Sequence, residues 1–527
     1  MEARLKKNSD HKSSYVVPHN IVLRRDQYPF LVTSKADFDL LYGNHGVGEP
    51  VKKNELDASF SHIFEKSLIP ILNNTNVRYD AFDFIVDDMD PLSFEDIFLQ
   101  SFSAFPILHL INVPELNIKQ FSFTLSPLER QLVTYFIDFI APHCVCCEVK
   151  SNSPQNSYIA PELNPYLHLI VPLSFKYPVV MKTIVTASAA QLSLVGRQDY
   201  QETAEQYLID VIEEIPRLLD LKRDHDGWDD IFAVVVMLCF IEISVNCNNT
   251  WLALLNYAKR VLKQSSGIRE KLLTPMGKFF IRYFISHEVM GETAWVHENS
   301  ISRPVMIDDD PFIEELKKDY DTKIDLVFGC SPYLISLIHR ISVIGQCLAD
   351  LKLEINDQGL YKAEILRHAQ ETEQMILCLN QQLPTNSELY FDEDERNNIS
   401  AIAEIKRLAS LIYLYGSVYM NNDHDMNPTI DTREYTMKII EIQKELPDHY
   451  MSLLWPVFVV GAIAADEEDV RWFVLESLRE MEQQRKLKTV QAARQIIVDI
   501  WKGRDLGFSP VYWKDIIKDK STTISLA

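Results

Sequence analysis

Three clusters in the chain carry residue types that do chemistry. His143-Cys144-Val145-Cys146-Cys147 gathers soft ligands of the kind that hold zinc when two spaced pairs converge. No second Cys/His pair follows at a usual interval, so the cluster reads as ordinary free thiols. Asp308-Asp309-Asp310 suggests metal-diphosphate chemistry, which needs carboxylates spaced along one helix face and a second metal motif on a facing helix. Pro311 follows at once and no second motif is visible, so the run reads as a solvated acidic loop. Asp392 to Glu395 and Asp466 to Asp469 read the same way. The 14 histidines are scattered singly. There is no G-x-S-x-G elbow, H-E-x-x-H pair or kinase signature. The expectation is no catalytic residue, no metal, no cofactor and no enzyme.

The third cluster does its chemistry by binding. Tyr79 to Leu99 reads YDAFDFIVDDMDPLSFEDIFL, with Asp80, Asp83, Asp87, Asp88, Asp90, Glu95 and Asp96 and no basic residue among them. Mutual repulsion keeps such a peptide expanded and its aromatics available, and a basic-rimmed apolar groove then captures it as a short helix. Phe82, Phe84, Asp87, Asp88, Phe94, Ile97 and Phe98 are the candidate coactivator-binding residues of an acidic activation segment. The same composition also suits an acidic loop whose aromatics dock on the chain's own body. Both readings stand, and regulation can link them.

The elements that must present these residues divide near position 125. Residues 1–125 mix polar spacers with aromatic–acidic islands such as Ser34 to Gly43 and lack sustained periodicity, which predicts a largely disordered or loosely docked arm. From 126 to 527 the helical period dominates. Ser126-Pro127-Leu128-Glu129 reads as an N-cap, a first-turn proline and an acidic first turn. Pro178 opens a helix along Met181, Ile184, Val185, Ala189 and Leu192, and Ala204 to Ile215 forms another, closing at Pro216. Asp229 to Val245 is apolar on nearly all sides, as a central helix is. Pro332 starts a helix with Leu334, Ile338, Ile341, Leu348 and Leu351 on one face. Near the end, Val470 to Met481 carries Trp472, Phe473, Leu475 and Leu478, and Val490 to Trp501 repeats the pattern. No run of alternating strands competes, so the predicted fold is all-α.

Composition narrows the function classes. With 527 residues the chain allows two to four ordinary domains or one unusually large helical one. Glycine is scarce, 15 residues or about 3% where about 7% is usual, so glycine-rich phosphate loops are poor bets. A net charge of −23 repels a phosphate backbone. The apolar runs Ile231 to Val245 and Leu453 to Ala465 fall short of the roughly 20 residues a bilayer needs, so the expectation is a soluble protein with no membrane partner. Eight cysteines, mostly single and within apolar runs, fit a reducing compartment.

Several stretches, in order, resemble a known family. They are Asn164-Pro165-Tyr166-Leu167 through Val171-Pro172-Leu173 to Ala187-Ser188-Ala189-Ala190, then Met237-Leu238-Cys239 to Trp251 and Ala258. Ile324-Asp325-Leu326-Val327-Phe328-Gly329-Cys330-Ser331 follows, and Leu453 to Gly461 with Arg471-Trp472 comes last. Over roughly 130–505 the chain is similar to the fungal-specific regulatory domain of zinc-binuclear-cluster transcription factors, in the branch of the GABA- and arginine-responsive yeast activators. Physically, Trp251, Trp455 and Trp501 are core anchors whose indole N–H must find a partner, and Pro456 with Gly461 sets a bend.

That family reads DNA through six cysteines holding two zinc ions, whereas no cysteine here precedes Cys144 and the basic stretches Arg4 to Lys7 and Arg24-Arg25 are short. Either the DNA-reading module is lost or the chain begins downstream of it in the gene. The resemblance implies a nuclear transcription regulator acting through other regulators or coactivators, as a homo- or heterodimer, without sequence-specific DNA binding by this chain. The alternatives are a helical scaffold subunit of a nuclear or chromosome-associated complex and a metabolite-sensing module.

Overall fold

The computed structural model describes residues 125–147, 163–222, 228–247, 251, 253–254, 273–294, 319–351, 358–420, 431–447, 451–507, 512–519 and 524–527. Helices α1 (Pro127–Tyr135), α2 (Val171–Lys176), α3 (Pro178–Leu194), α4 (Gln201–Lys222), α5 (Asp229–Ile241) and α6 (Pro275–Glu292) make up the first half. The second half holds α7 (Pro332–Leu351), α8 (Gln358–Cys378), α9 (Glu393–Leu414), α10 (Thr432–Glu445), α11 (Leu454–Val459), α12 (Glu468–Arg485), α13 (Lys488–Asp505) and α14 (Trp513–Asp519). Among the described residues the only β-type pairings are two isolated bridges, Lys323 with Gln382 and Asp325 with Cys330. The fold is all-α, as the periodicity predicts.

Local signals place the helix starts. Ser126 Oγ accepts from the Glu129 N–H at 3.2 Å while the Glu129 carboxylate accepts from the Ser126 N–H at 2.7 Å, a complete capping box for α1. Asp392 and Glu395 make the same reciprocal pair at α9. This corrects the expectation of a solvated acidic loop there, since carboxylates in a first turn satisfy free N–H groups and meet the positive end of the helix dipole. Glu468 and Asp469 likewise form the first turn of α12. The expected stop at Pro216 is also corrected, because α4 continues to Lys222. A proline inside a helix costs about 3 kcal/mol, and beyond it Leu218 still packs on the core.

The core is one continuous cluster from Leu132 to Leu526. α5 lies at its centre, buried on almost every face and packed against α3 and α6. Phe232 of α5 stacks on Phe280 of α6 with ring centroids 4.3 Å apart. The apolar stretch Pro332–Ala349 of α7 has the length of a membrane span, and 44% of it is buried. Its Leu334, Ile338, Ile341 and Leu348 face the core, where α7 packs on α6 and α8.

Among the described tryptophans, three tie their indole N–H to a partner and one is turned to solvent. Trp455 donates to Thr293 Oγ1 at 3.0 Å, and Trp501 donates to the Gly461 carbonyl at 2.8 Å. Trp513, which the sequence did not single out, donates to the Thr293 carbonyl at 2.9 Å. Trp472 is 69% exposed, against its expected place on an apolar face. Val470, Val474, Leu478 and Met481 form that face, and a residue two positions past Val470 points to roughly the opposite side of the helix. The bend expected near Pro456 and Gly461 is a π-helical turn, Val460–Ala464, that continues α11.

Candidate functional site

A set of buried charges surrounds the loop between α6 and α7, the stretch Ile324 to Ser331. The Asp325 N–H donates to the Cys330 carbonyl at 3.0 Å and the Gly329 N–H donates back to the Asp325 carbonyl at 2.8 Å, closing a tight turn. Gly329 sits at φ +64, and a Cβ there would stand 2.9 Å from Ile402 of α9. Glycine supplies both the left-handed conformation and the close approach. Asp325 Oδ1 accepts from the Val327 N–H, and Arg282 of α6 donates to Oδ2 at 3.1 Å. Burial raises the Asp325 carboxyl above its ordinary range, and Arg282 opposes that shift. Burial raises the neighbouring Asp319 as well.

A second layer ties the loop to the rest of the chain. Lys406 of α9 is 2% exposed and its ammonium donates to the Phe328 carbonyl. Burial lowers its pKa. The Cys146 N–H donates to the Leu326 carbonyl at 2.7 Å, bringing in the segment after α1. Gln381 donates to the Ala403 carbonyl and accepts from the Ser331 N–H at 2.7 Å. A cleft of about 30 Å³ opens beside Arg282, Ser286, Asp319, Asp325 and Ser336, space for a water molecule or two.

These groups serve the backbone more than they face a substrate. Burial pushes the Cys330 thiol up to about 11 and Cys146 well above its usual value, so both stay protonated at neutral pH and neither is a ready nucleophile. The chemistry available is hydrogen bonding that fixes the turn between α6, α7, α9 and the chain after α1.

The sequence-predicted sites fall elsewhere. Phe82, Phe84, Asp87, Asp88, Phe94, Ile97 and Phe98 lie outside the described residues, as do Asp308, Asp309 and Asp310. Cys144, Cys146 and Cys147 are in the thiol form, outside any disulfide. The Cys144 thiol donates to the Ile140 carbonyl, and Cys146 and Cys147 are buried in the core. Among the described residues no three His, Cys, Asp or Glu side chains group as a metal site. Sequence reading singled out the turn at Ile324 to Ser331 but missed Arg282 and Lys406. Lys406 had a signal, for it sits on the α9 stripe Ile399, Ile402, Ala409 where an apolar residue belongs.

With this geometry in place, comparison with known families is informative. The model of the family described as the fungal specific transcription factor domain matches residues 131–527, from within α1 through the last residue of the chain. No curated protein and no solved structure matches the chain.

Proposed function

The chain belongs to the fungal specific transcription factor domain family, and from that premise we propose a nuclear regulator of transcription that acts through protein partners. Its helical body contacts other regulators, and the acidic-aromatic segment 79–99 recruits coactivators. Phe82, Phe84, Phe94, Ile97 and Phe98 supply the apolar contacts, and Asp87 and Asp88 keep the segment extended and steer it to a basic-rimmed groove. The family match across most of the chain is the observation that carries this reading. The net charge of −23 supports a route to DNA through partners.

Residues 79–99 fused to a heterologous DNA-binding module should activate a reporter, and replacing Phe82, Phe84, Phe94 and Phe98 together by Ala should abolish activation. An inert wild-type fusion removes the activation segment from this reading. In the same study the full chain should give no specific shift of an oligonucleotide at physiological salt, and tight specific binding would remove the partner route.

A further inference from the structure

Trp472 and Leu506 are the two most exposed large apolar side chains among the described residues, at 69% and 74%. They flank one ion pair. Arg471, just before the tryptophan, forks both Nη atoms onto the Asp505 carboxylate at 2.9 Å, and Leu506 follows that aspartate. Arg471 also donates from Nε to the Ala465 carbonyl, and its guanidinium carbon stands 5.3 Å from the centre of the buried Trp501 ring. The edge between α12 and α13 is thereby fixed. Neither exposed side chain serves the core, since Val470, Val474, Leu478 and Met481 fill that face of α12. Single exposed apolar residues are ordinary, whereas two together on a rigid edge mark a contact surface.

The charges around them have one sign in excess. Glu468 and Asp469 stand four and three residues before Trp472, and Glu476 four after it, which places all three carboxylates beside the indole on the helix surface. Glu476 is held by Arg479, as Asp466 is by Arg504 and Glu467 by Arg433. Glu468 and Asp469 are exposed and have no basic partner among the described residues. The helix dipole accounts for carboxylates in a first turn, but not for an indole beside them in water.

That sign decides what can cover the patch. A second copy docked patch to patch would set Glu468 and Asp469 of both chains against each other. The acidic segment 79–99, DNA and an anionic lipid surface are repelled in the same way. We propose that Trp472 and Leu506 form the docking surface for a basic segment of a partner protein. An arginine of that segment stacks on the indole and meets Glu468 and Asp469, while an apolar neighbour covers Leu506. A guanidinium is planar and weakly hydrated, so it gains from the ring face and the carboxylates together. An indole carried on a fixed helix loses little freedom on binding. This inference rests on the reading that the helical body works by touching other regulators, and it adds the surface and the charge of the partner.

The test is fluorescence anisotropy of a labelled peptide built from Arg and Leu, titrated with the full chain at physiological salt, beside a counterpart with Glu in place of Arg. Saturable binding of the Arg peptide alone is expected. Trp472→Ala should weaken it about tenfold or more and keep the wild-type melting temperature, because the indole lies mostly outside the core. Should that variant melt early, Leu506→Ser reads the same surface, with an expected loss of about threefold or more. Glu468→Lys with Asp469→Lys should cost about tenfold. Glu393→Lys with Asp394→Lys makes the same charge change in the first turn of α9 and should stay within about threefold of the wild type. No binding of the Arg peptide overturns the proposal, as does an equal loss in the α9 control. A loss confined to Trp472→Ala removes the basic character of the partner, and a dimer of the chain that Trp472→Ala dissolves makes the occupant a second copy. None of these readouts depends on whether residues 79–99 activate a reporter.

Discussion

Gly461 shows how much of this molecule depends on single positions. It lies in the π-helical turn after α11, and its carbonyl takes the indole N–H of Trp501. A Cβ there would meet Val474 Cγ1 of α12 and Ile497 Cδ1 of α13, both at 2.9 Å. The isoleucine tip can swing aside, but the β-branched valine is stiff. Gly461→Ala should therefore destabilise by about 1–2 kcal/mol, since overpacking of 1–3 kcal/mol exceeds the gain in helix propensity. Urea unfolding should show a lower midpoint with an unchanged slope, and a midpoint at or above that of the wild type would disprove the close approach. The sequence offered Gly461 as a bend and Trp501 as an anchor, but not that one closes on the other. Contacts between residues 40 positions apart leave no local pattern. Lys406 was missed for a related reason, because whether a basic residue is buried depends on which helix covers it.

At the scale of elements, signals that act within a few residues were legible. The N-cap of α1, the opening prolines of α1, α3 and α7, and the all-round burial of α5 follow from spacing alone, whereas the capping box of α9 reads in the sequence as an acidic loop. The continuation of α4 through Pro216 was not, because packing further along the helix outweighed a local cost. Nor was the C-terminal tail 524–527, too short to show any period. Ile524 and Leu526 are 0% and 1% exposed, Thr489 of α13 donates to the Ser525 carbonyl at 2.7 Å, and Ser525 Oγ meets His287 Nδ1 of α6 at 2.9 Å. The tail thus staples α13 to α6. Replacing Ile524 and Leu526 together by Ala should cost at least about 4 kcal/mol, read as a loss of urea midpoint. A change below about 1 kcal/mol would mean that the tail is not seated in solution.

The whole molecule carries its buried groups as a pH window. His287 packs on Tyr283 with ring centroids 4.0 Å apart, and burial lowers its pKa from 6.5 to about 3. The folded state therefore excludes a proton that the unfolded chain binds. Its contribution is complete above pH 6.5 and drains away as pH falls toward 3, at roughly 1.4 kcal/mol per pH unit. The alkaline side has the opposite sign. Burial raises Cys330 from 9.0 to about 11 and Cys247 from 9.0 to about 12, so their contribution is present below pH 9 and lost as pH rises through those values. Lys514, lowered from 10.5 to about 8, works against that loss between those two values. Burial raises Cys144, Cys146 and Cys239 as well and lowers Lys406, so five thiols against two amines leave a net decline. Stability measured by urea unfolding in reducing buffer should peak between about pH 6.5 and 9 and fall on both sides. His287→Gln, which keeps a hydrogen-bonding side chain but does not titrate, should flatten the acid limb by about 1.4 kcal/mol per pH unit and leave the alkaline limb alone. An unchanged acid limb would mean that His287 is not held neutral in the core, and with it the seating of the tail against α6 would fail.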